Sequence, residues 1–269
     1  MQKVPRFSSL ILLLILVGTS RAATIAGKEA KPGALVEIQF PVSKYFQDMA
    51  AQGGNPRPQT GRAVLTFPPG FDPARRWPIL IVTSTTDYHR TSPMDAEWYH
   101  PPADAEGWVI LASDATIKPA HDSTPWRLSM LGAALDAVHK EWPQSKSWPV
   151  AFAGMSGGAK RSCLLGAMMM KGGAVTNVCG FFLSGMNEDK ISEAYKTYQP
   201  GSAFLNIPIW LSGGMDDPIA HPSLMGQAAA GMRTTGFKRV RLEHFNGGHR
   251  LKRTEVKLAL RWFRELGGF

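Results

Sequence analysis

Five short apolar runs recur between residues 77 and 213, and they constrain the fold more than any other feature of the sequence. Odd and even positions of each run are both apolar, as required of strands that are buried on both faces. Helix-like stretches or long loops separate the runs, so the pattern predicts an α/β protein with a doubly wound, mostly parallel sheet and helices on both faces. The runs read WPILIVTS, GWVILASD, WPVAFAG, CGFFLSG and IPIWLSG.

Further elements are predicted around this sheet. Residues 34–42 and 62–67 are β-rich and partly alternating, with a Gly- and Pro-rich stretch between them, so they predict an antiparallel pair of N-terminal strands. Active-site residues are expected on the loops that follow the carboxyl ends of the strands.

Caps and apolar spacing predict four helices: from Ser123 or Thr124 to just before Pro143, from just after Ser156 to about Met170, within residues 222–234, and over residues 254–266.

The first 22 residues have the three-part pattern of a secretory signal peptide. Lys3 and Arg6 precede the apolar run 10–17, and Ser20 and Ala22 supply the small residues of a cleavage site. As a helix this run would span about 12 Å, whereas a bilayer core is about 30 Å thick, so no stable membrane anchor is expected. We predict a secreted or periplasmic protein. No linker, repeat or low-complexity tract divides residues 23–269, which predicts one domain.

The chain is basic, with a formal net charge of +9. Removal of the signal peptide would take away three basic residues and no acidic ones, and would leave +6. The Lys and Arg residues are scattered, which favours a solvated basic surface over a dedicated anion site and predicts no nucleic-acid partner. The densest patch, which a predicted strand and a predicted catalytic loop interrupt, comprises Lys238, Arg239, Arg241, Arg250, Lys252 and Arg253.

The sequence contains two cysteines, Cys163 and Cys179. An oxidising compartment favours a disulfide between them, which would close the helix after Ser156 onto the following strand, although two small buried apolar side chains would look identical in sequence. No CxxC, HExxH or clustered His/Cys set with zinc spacing occurs. We therefore predict no metal and no cofactor.

The run WPVAFAG ends in the letters GMSGG, residues 154–158, which contain the pattern G-x-S-x-G. In this pattern a serine lies on a sharp turn between a strand and a helix, and glycines flank it because the turn brings backbone segments too close for a Cβ atom. Without partner residues, a Gly-rich packing turn would give the same letters. With them, Ser156 is the candidate nucleophile.

An acid and a histidine follow Ser156 in the order that this motif requires, each just after a strand-like run. The letters MDDP at residues 215–218 include Asp216 and Asp217, and GGH at residues 247–249 ends in His249. A serine nucleophile needs a base, and the base needs a carboxylate that orients it and stabilises its protonated form. We assign His249 as the base and Asp217 as the acid, with Asp216 as the rival acid.

An acyl-transfer site also needs hydrogen-bond donors for the negative charge that develops on the carbonyl oxygen. The N–H of Gly157, directly after the nucleophile at a helix N-terminus, is one predicted donor. The second is assigned to the backbone of Thr85, in the loop after WPILIVTS, where the hydroxyl of Thr85 or Thr86 could add a side-chain donor. These threonines could instead merely end a strand.

Other candidate side chains have two possible roles. His244 lies inside the last predicted strand and is interpreted as structural, whereas His221 is an alternative base. Lys160 and Arg161 could bind an acidic substrate group, but a solvated helix face is favoured. Aromatic and histidine side chains could line the pocket or cover the core; these are Tyr88, His89, Trp98, Tyr99, His100 and Trp126.

With these residues, the sequence resembles the α/β-hydrolase superfamily, and within it the compact secreted esterases related to polyhydroxybutyrate depolymerases and feruloyl or acetyl-xylan esterases. The resemblance covers roughly residues 77–269 through WPILIVTS, GMSGG, GGMDDP and GGH. In that family the acid commonly lies in a G-x-x-D-P loop, which matches Asp217, and the base in a G-G-H turn, which matches His249. The resemblance thus implies a Ser-His-Asp mechanism.

Two features depart from that family. Residues 84–86 read Ser-Thr-Thr where many members have His-Gly, and little sequence is left between the strands for a large lid. Short connections predict an open cleft, which favours small-molecule or polymer-borne esters over long-chain triglycerides as substrates. The first functional hypothesis is a secreted serine esterase. The alternatives are a peptidase of the prolyl-oligopeptidase type, whose usual N-terminal propeller is absent here, and a non-catalytic exported binding module.

Overall fold

The computed structural model describes residues 22–86 and 89–269, so the predicted signal peptide lies outside the described residues except for Ala22. The strands are β1 (Thr24–Ile25), β2 (Lys28–Glu29), β3 (Leu35–Pro41), β4 (Thr60–Thr66), β5 (Ile79–Thr83), β6 (Val109–Ala115), β7 (Val150–Met155), β8 (Val178–Ser184), β9 (Ile209–Gly214) and β10 (Val240–Phe245). The helices are α1 (Lys44–Ala51), α2 (Ser92–Ala105), α3 (Thr124–Glu141), α4 (Gly157–Lys171), α5 (Lys190–Tyr198), α6 (Pro222–Thr235) and α7 (Arg253–Gly267).

Eight of these strands form one sheet in the order β10-β9-β8-β7-β5-β6-β4-β3. The pairs from β10 to β6 are parallel, whereas β4 is antiparallel to both of its neighbours. From β5 the chain moves outward to β6 on one side and then returns to β7 on the other. The loops after β5 and β7 therefore leave the sheet at the point where the strand order reverses, which is where open α/β sheets bind ligands.

Two apolar clusters cover the two faces of this sheet. The larger one packs α3, α4 and α6 against one face through side chains such as Trp126, Leu165 and Met225. The other packs α2 and α7 against the opposite face through side chains such as Tyr99 and Phe263. The fold class predicted from the apolar runs is thus confirmed, including the antiparallel N-terminal pair, β3 with β4.

The predicted helices correspond to α3, α4, α6 and α7. Ser123, rather than Thr124, caps α3, because its hydroxyl accepts a hydrogen bond from the N–H of Trp126 at 3.3 Å. The sequence patterns did not predict α1, α2 or α5. In α2, Pro101 and Pro102 lie within the helix and obscure its pattern in the sequence.

The predicted disulfide is wrong, since Cys163 and Cys179 are both free and buried. Cys163 lies on α4 in the larger cluster, where its Sγ contacts the carbonyl oxygen of Ala159. Cys179 lies on β8 in the cluster beneath α7. The sheet itself separates the two clusters, so the thiols pack on different sides of it. The alternative interpretation, two small buried side chains, is the one observed.

The connections at the carboxyl edge of the parallel strands are short. The longest, residues 84–91 after β5 and residues 116–123 after β6, have eight residues each. No large lid is inserted in the described connections, so this edge of the sheet remains open. Within residues 22–86 and 89–269, no helix combines the length and the apolar character that crossing a bilayer requires.

Candidate active site

Ser156 lies at the turn between β7 and α4, with a backbone φ of 57° and ψ of −121°. Residues other than glycine adopt positive φ rarely and at a conformational cost, and they are concentrated at functional sites. The flanking glycines make this turn possible. A Cβ atom on Gly154 would lie 2.2 Å from the carbonyl carbon of Gly158, and one on Gly158 would lie 2.3 Å from the carbonyl oxygen of Thr83.

The acid loop and the base loop are joined by direct contacts. The Nδ1 atom of His249 is 2.8 Å from Oδ2 of Asp217. The backbone N–H of Asp216 donates to the carbonyl oxygen of Gly247 at 3.0 Å. A Cβ atom on Gly214 would lie 2.0 Å from that same oxygen, so the loops could not approach this closely with another residue there. Asp217 therefore contacts the histidine, whereas the side chain of its rival Asp216 is exposed.

Asp217 is held as a carboxylate by its surroundings. Only 1% of its side chain is exposed, and its Oδ1 accepts hydrogen bonds from the N–H groups of Ile219 and Ala220 at 2.9 and 2.8 Å. Burial acts to raise the pKa of Asp217, but the hydrogen bonds from Ala220, His249 and Ile219 outweigh burial and lower that pKa below its usual value. The group is thus ionised at neutral pH.

Gly185 lies between the nucleophile turn and the base. The N–H of Ser156 donates to the carbonyl oxygen of Ser184 at 2.8 Å, and the next residue, Gly185, lies against the imidazole. A Cβ atom on Gly185 would lie 3.0 Å from Cε1 of His249. Within the described part of the chain, the Ser156 hydroxyl forms no hydrogen bond. In ligand-free sites the contact between nucleophile and base is often long and tightens when substrate binds.

The two predicted oxyanion donors are neighbours. Thr85 packs against Gly157, where an added Cβ atom would lie 2.8 Å from Cγ2 of Thr85. Among the described residues, neither the N–H of Gly157 nor that of Thr85 has a hydrogen-bond acceptor. The Thr85 hydroxyl donates to the carbonyl oxygen of Met155 at 3.2 Å, which ties the loop after β5 to the end of β7. The arrangement leaves two backbone donors available beside Ser156.

Arg127 is a supporting residue that the sequence patterns did not reveal. It lies buried on α3, and its guanidinium donates to the carbonyl oxygen of Ser84 at 2.6 Å, one residue before Thr85. Asp122 balances its charge through two contacts, 2.6 Å from Nε and 3.1 Å from Nη2. A buried, paired arginine thus holds the loop that carries the candidate oxyanion donor.

The remaining charged and histidine candidates lie outside the site. Lys160 forms an ion pair with Glu188 at 2.5 Å. Arg161 contacts Asp122 at 3.3 Å and also Thr124. His221 caps α6 through contacts with Ser223, and its ring is exposed. His244 is exposed on β10. None of these four residues lines the cleft described below.

The aromatic candidates have different positions. Tyr99 and Trp126 are fully buried in the core, and Tyr88 lies outside the described residues. Trp98 lines an open cleft of about 620 Å³ together with Met155, His249 and residues 250–253. This cleft begins at the base and next to the nucleophile turn. Among the described residues, no group of three or more His, Cys, Asp or Glu side chains could hold a metal ion.

Comparisons with known proteins detect a similarity in structure. No protein-family model and no curated protein sequence matches the chain. A bacterial heroin esterase superposes with a TM-score of 0.58 at 15% identity over 86% of this chain and 84% of that one. A hyperthermophilic esterase from the archaeon Pyrobaculum calidifontis superposes with a TM-score of 0.60 at 14% identity over 88% and 85%.

A dipeptidyl aminopeptidase IV candidate from Bacteroides ovatus also superposes, with a TM-score of 0.55 at 14% identity. The match covers 86% of this chain but 36% of that one. At such low identities the superpositions establish the architecture alone. The sheet order, the strand directions and the turn at Ser156 agree with that architecture. The chain therefore has the α/β-hydrolase fold.

Proposed function

We propose that the protein is a serine hydrolase that cleaves carboxylic esters, with Ser156 as nucleophile, His249 as base and Asp217 as orienting acid. The observation that carries the proposal is the 2.8 Å contact between His249 and the buried Asp217, beside the strained turn that presents Ser156. The proposed donors to the oxyanion are the N–H groups of Gly157 and Thr85. Structural likeness to the two esterases is consistent with this activity.

The proposed reaction has two halves. Nε2 of His249 takes the proton as Oγ of Ser156 attacks the ester carbonyl carbon, and the resulting oxyanion accepts hydrogen bonds from Gly157 and Thr85. Collapse of this intermediate breaks the bond to the alcohol oxygen, which receives the proton from His249, and leaves an acyl-Ser156. Water, deprotonated by His249, then attacks the acyl group, and the carboxylic acid leaves as Ser156 regains its proton.

The short loops at the carboxyl edge of the sheet indicate which size of substrate the site can take. Since the connections there have at most eight residues, nothing in the described loops encloses a long acyl chain. We propose that the substrate is a small-molecule or polymer-borne ester. The signal-like residues 1–22 support export, either to the periplasm or to the medium.

A second candidate is amide cleavage, because the Bacteroides ovatus protein shares the architecture. A panel of matched esters and amides distinguishes the two. We expect turnover of the ester to exceed turnover of the amide, and equal rates would favour the peptidase.

The decisive experiment is the intact mass of the protein after treatment with a fluorophosphonate, which labels only activated serines. We expect one adduct on the wild type and none on Ser156→Ala or His249→Ala. Ser162→Ala is the matched control: Ser162 lies on the same helix but is buried against Thr83, so its loss should leave the adduct in place. An unlabelled, folded wild type would reject the hydrolase proposal in favour of a binding module.

A further inference from the structure

The cleft beside His249 has a strongly cationic wall. Three of its seven lining residues are basic, namely Arg250, Lys252 and Arg253, and none is acidic. All three lie within four residues after the base, Arg250 and Lys252 in the loop between β10 and α7 and Arg253 at the first position of α7. An ester bound with its carbonyl at Ser156 would therefore have positive charge close to one of its ends.

None of these three side chains forms an ion pair with a carboxylate among the described residues. The Arg250 guanidinium donates to the carbonyl oxygen of Asn246 at 3.3 Å. Arg253 donates to the backbone oxygens of residues 97 and 98, at 3.3 and 3.2 Å. The Lys252 ammonium lies 5.3 Å from the ring centre of Phe245. The three carbonyl oxygens and the ring are uncharged, so these contacts leave the positive charges able to attract a ligand.

One other cation of the basic patch, Arg241, and one beside Trp98, Arg90, are paired with carboxylates. Arg241 contacts Glu243 at 2.6 Å, and Arg90 pairs with Asp95 while lying over the Trp98 ring. The carboxylate nearest in sequence is Glu255, which is buried in the first turn of α7 and does not line the cleft. Burial raises the pKa of Glu255 and the charge of Lys252 acts to lower it, so Glu255 offsets part of the Lys252 charge from beneath the cleft without an ion pair, and it leaves Arg250 and Arg253 unbalanced.

Unpaired charges grouped in a cleft attract a ligand of the opposite sign. Two arginines also offer forked N–H donors that match the two oxygens of a carboxylate. We infer that this cleft binds a negatively charged group of the substrate, so that the enzyme prefers esters that carry a carboxylate near the ester bond. The inference rests on the proposed ester hydrolysis and adds a substrate class to it.

The test compares esters that differ only in charge. For the alcohol side, 4-acetoxybenzoate is compared with the neutral 4-acetoxybenzamide. For the acyl side, the mono-4-nitrophenyl ester of terephthalate is compared with 4-nitrophenyl 4-carbamoylbenzoate. We expect the anionic member of at least one pair to have a kcat/KM about tenfold higher, as three partly exposed charges allow. Equal values in both pairs would overturn the inference and leave the hydrolase proposal standing.

Variants of the basic cleft residues then test whether these residues cause the preference for anionic esters. In Arg250→Gln/Lys252→Gln we expect the anionic-to-neutral ratio of kcat/KM to fall toward one. Lys171→Gln is the control for loss of a positive charge, since Lys171 is exposed at the far end of α4, about 20 Å from the turn. Its ratio should equal that of the wild type. An unchanged ratio in the double variant would contradict the assignment.

A binding measurement separates this inference from failure of catalysis. Calorimetric titration of Ser156→Ala with 4-acetoxybenzoate should show binding that the double variant weakens about tenfold and that 4-acetoxybenzamide does not reproduce. If the wild type hydrolyses no ester but this binding persists, the hydrolase proposal fails and the anion site remains. Equal binding of both compounds rejects the anion site.

Discussion

The acid–base half of the candidate site is held by contacts within two neighbouring loops, whereas the oxyanion half is held by a buried residue from another element. Asp217 is fixed by N–H groups two and three residues further along its own chain. The loop at Thr85 has local hydrogen bonds from Ser84 to Thr86 and Ser92, but it is also secured by Arg127 across 43 residues of sequence. The position of the acid thus depends mainly on its own turn, whereas the position of the oxyanion loop also depends on packing against α3.

This difference bears on how each half tolerates change. The turn at Asp217 is stabilised by contacts within residues 217–220, so a short stretch of sequence is enough to recognise it. The loop at Thr85 depends on the position of α3, so its letters can depart from the common His-Gly while the backbone donors stay in place. The Ser-Thr-Thr sequence is compatible with the proposed oxyanion site because the proposed donors are main-chain groups.

The largest effect is expected at the acid. Asp217→Asn preserves shape but removes the charge that selects the correct tautomer of His249 and stabilises its protonated form, so kcat should fall by about 10³–10⁴. Asp216→Asn is the matched control because that side chain is exposed, and its kcat should change by less than about threefold. Steady-state kinetics on one activated ester give both values. A larger loss in Asp216→Asn would reverse the assignment.

An intermediate effect is expected at Arg127. Arg127→Met removes the donor to Ser84 and leaves Asp122 with Arg161 as its partner, so we expect kcat to fall by about 10- to 100-fold and unfolding to become easier by about 2 kcal/mol. Activity and urea unfolding should be measured on the same sample. Arg127→Met/Asp122→Leu should recover part of the stability but not the activity, because Arg161 loses its contact with Asp122 and keeps the one with Thr124. If activity returns as well, Arg127 serves stability alone.

A smaller effect concerns stability against pH. The folded-state pKa of Asp217 lies below its unfolded value, so its contribution to the free energy of unfolding is present above about pH 4 and is lost as the pH falls through the folded pKa. Asp217→Asn should therefore be less stable than the wild type by about 1–2 kcal/mol at pH 7, with the gap closing toward pH 2. Urea unfolding across this range measures the gap. A constant gap would contradict the ionised state.

The smallest effect is expected at the Thr85 side chain. If the donor is the backbone N–H, Thr85→Ala should lower kcat by less than about threefold, because it removes the hydrogen bond to Met155 and the methyl contact with Gly157 but keeps the N–H. A loss of about 100-fold, restored by Thr85→Ser, would instead make the hydroxyl the donor. The small loss would show that the oxyanion half needs only the backbone at residue 85, whereas the acid–base half needs specific side chains.

Much of the fold was predictable because buried parallel strands leave unbroken apolar runs, as in WPILIVTS and IPIWLSG. The candidates Ser156 and Asp217 were recognisable because each lies within four residues after such a run, and His249 because it lies just after the more polar strand-like run KRVRLEHF. Helix α2 was missed because Pro101 and Pro102 lie within it, and an internal proline normally ends a helix.

Other features depended on three-dimensional packing and left no local signal. Arg127 is one basic residue within an apolar stripe, and its contact with Ser84 exists only once α3 lies beside the loop after β5. The basic patch was predicted to be a solvated surface. In the structure, Arg241 of this patch is paired with a carboxylate, whereas Arg250, Lys252 and Arg253 line the cleft. This difference depends on the course of the loop after β10, which the sequence does not show.

The two free cysteines have a practical consequence. Cys163 is buried on the inner face of α4 and Cys179 beneath α7, and burial raises the pKa of both thiols, so neither reacts readily in the folded chain. Each thiol becomes reactive only when its own layer opens. Alkylation rates in the two single-cysteine variants would therefore time the opening of each face of the sheet separately, with no added probe.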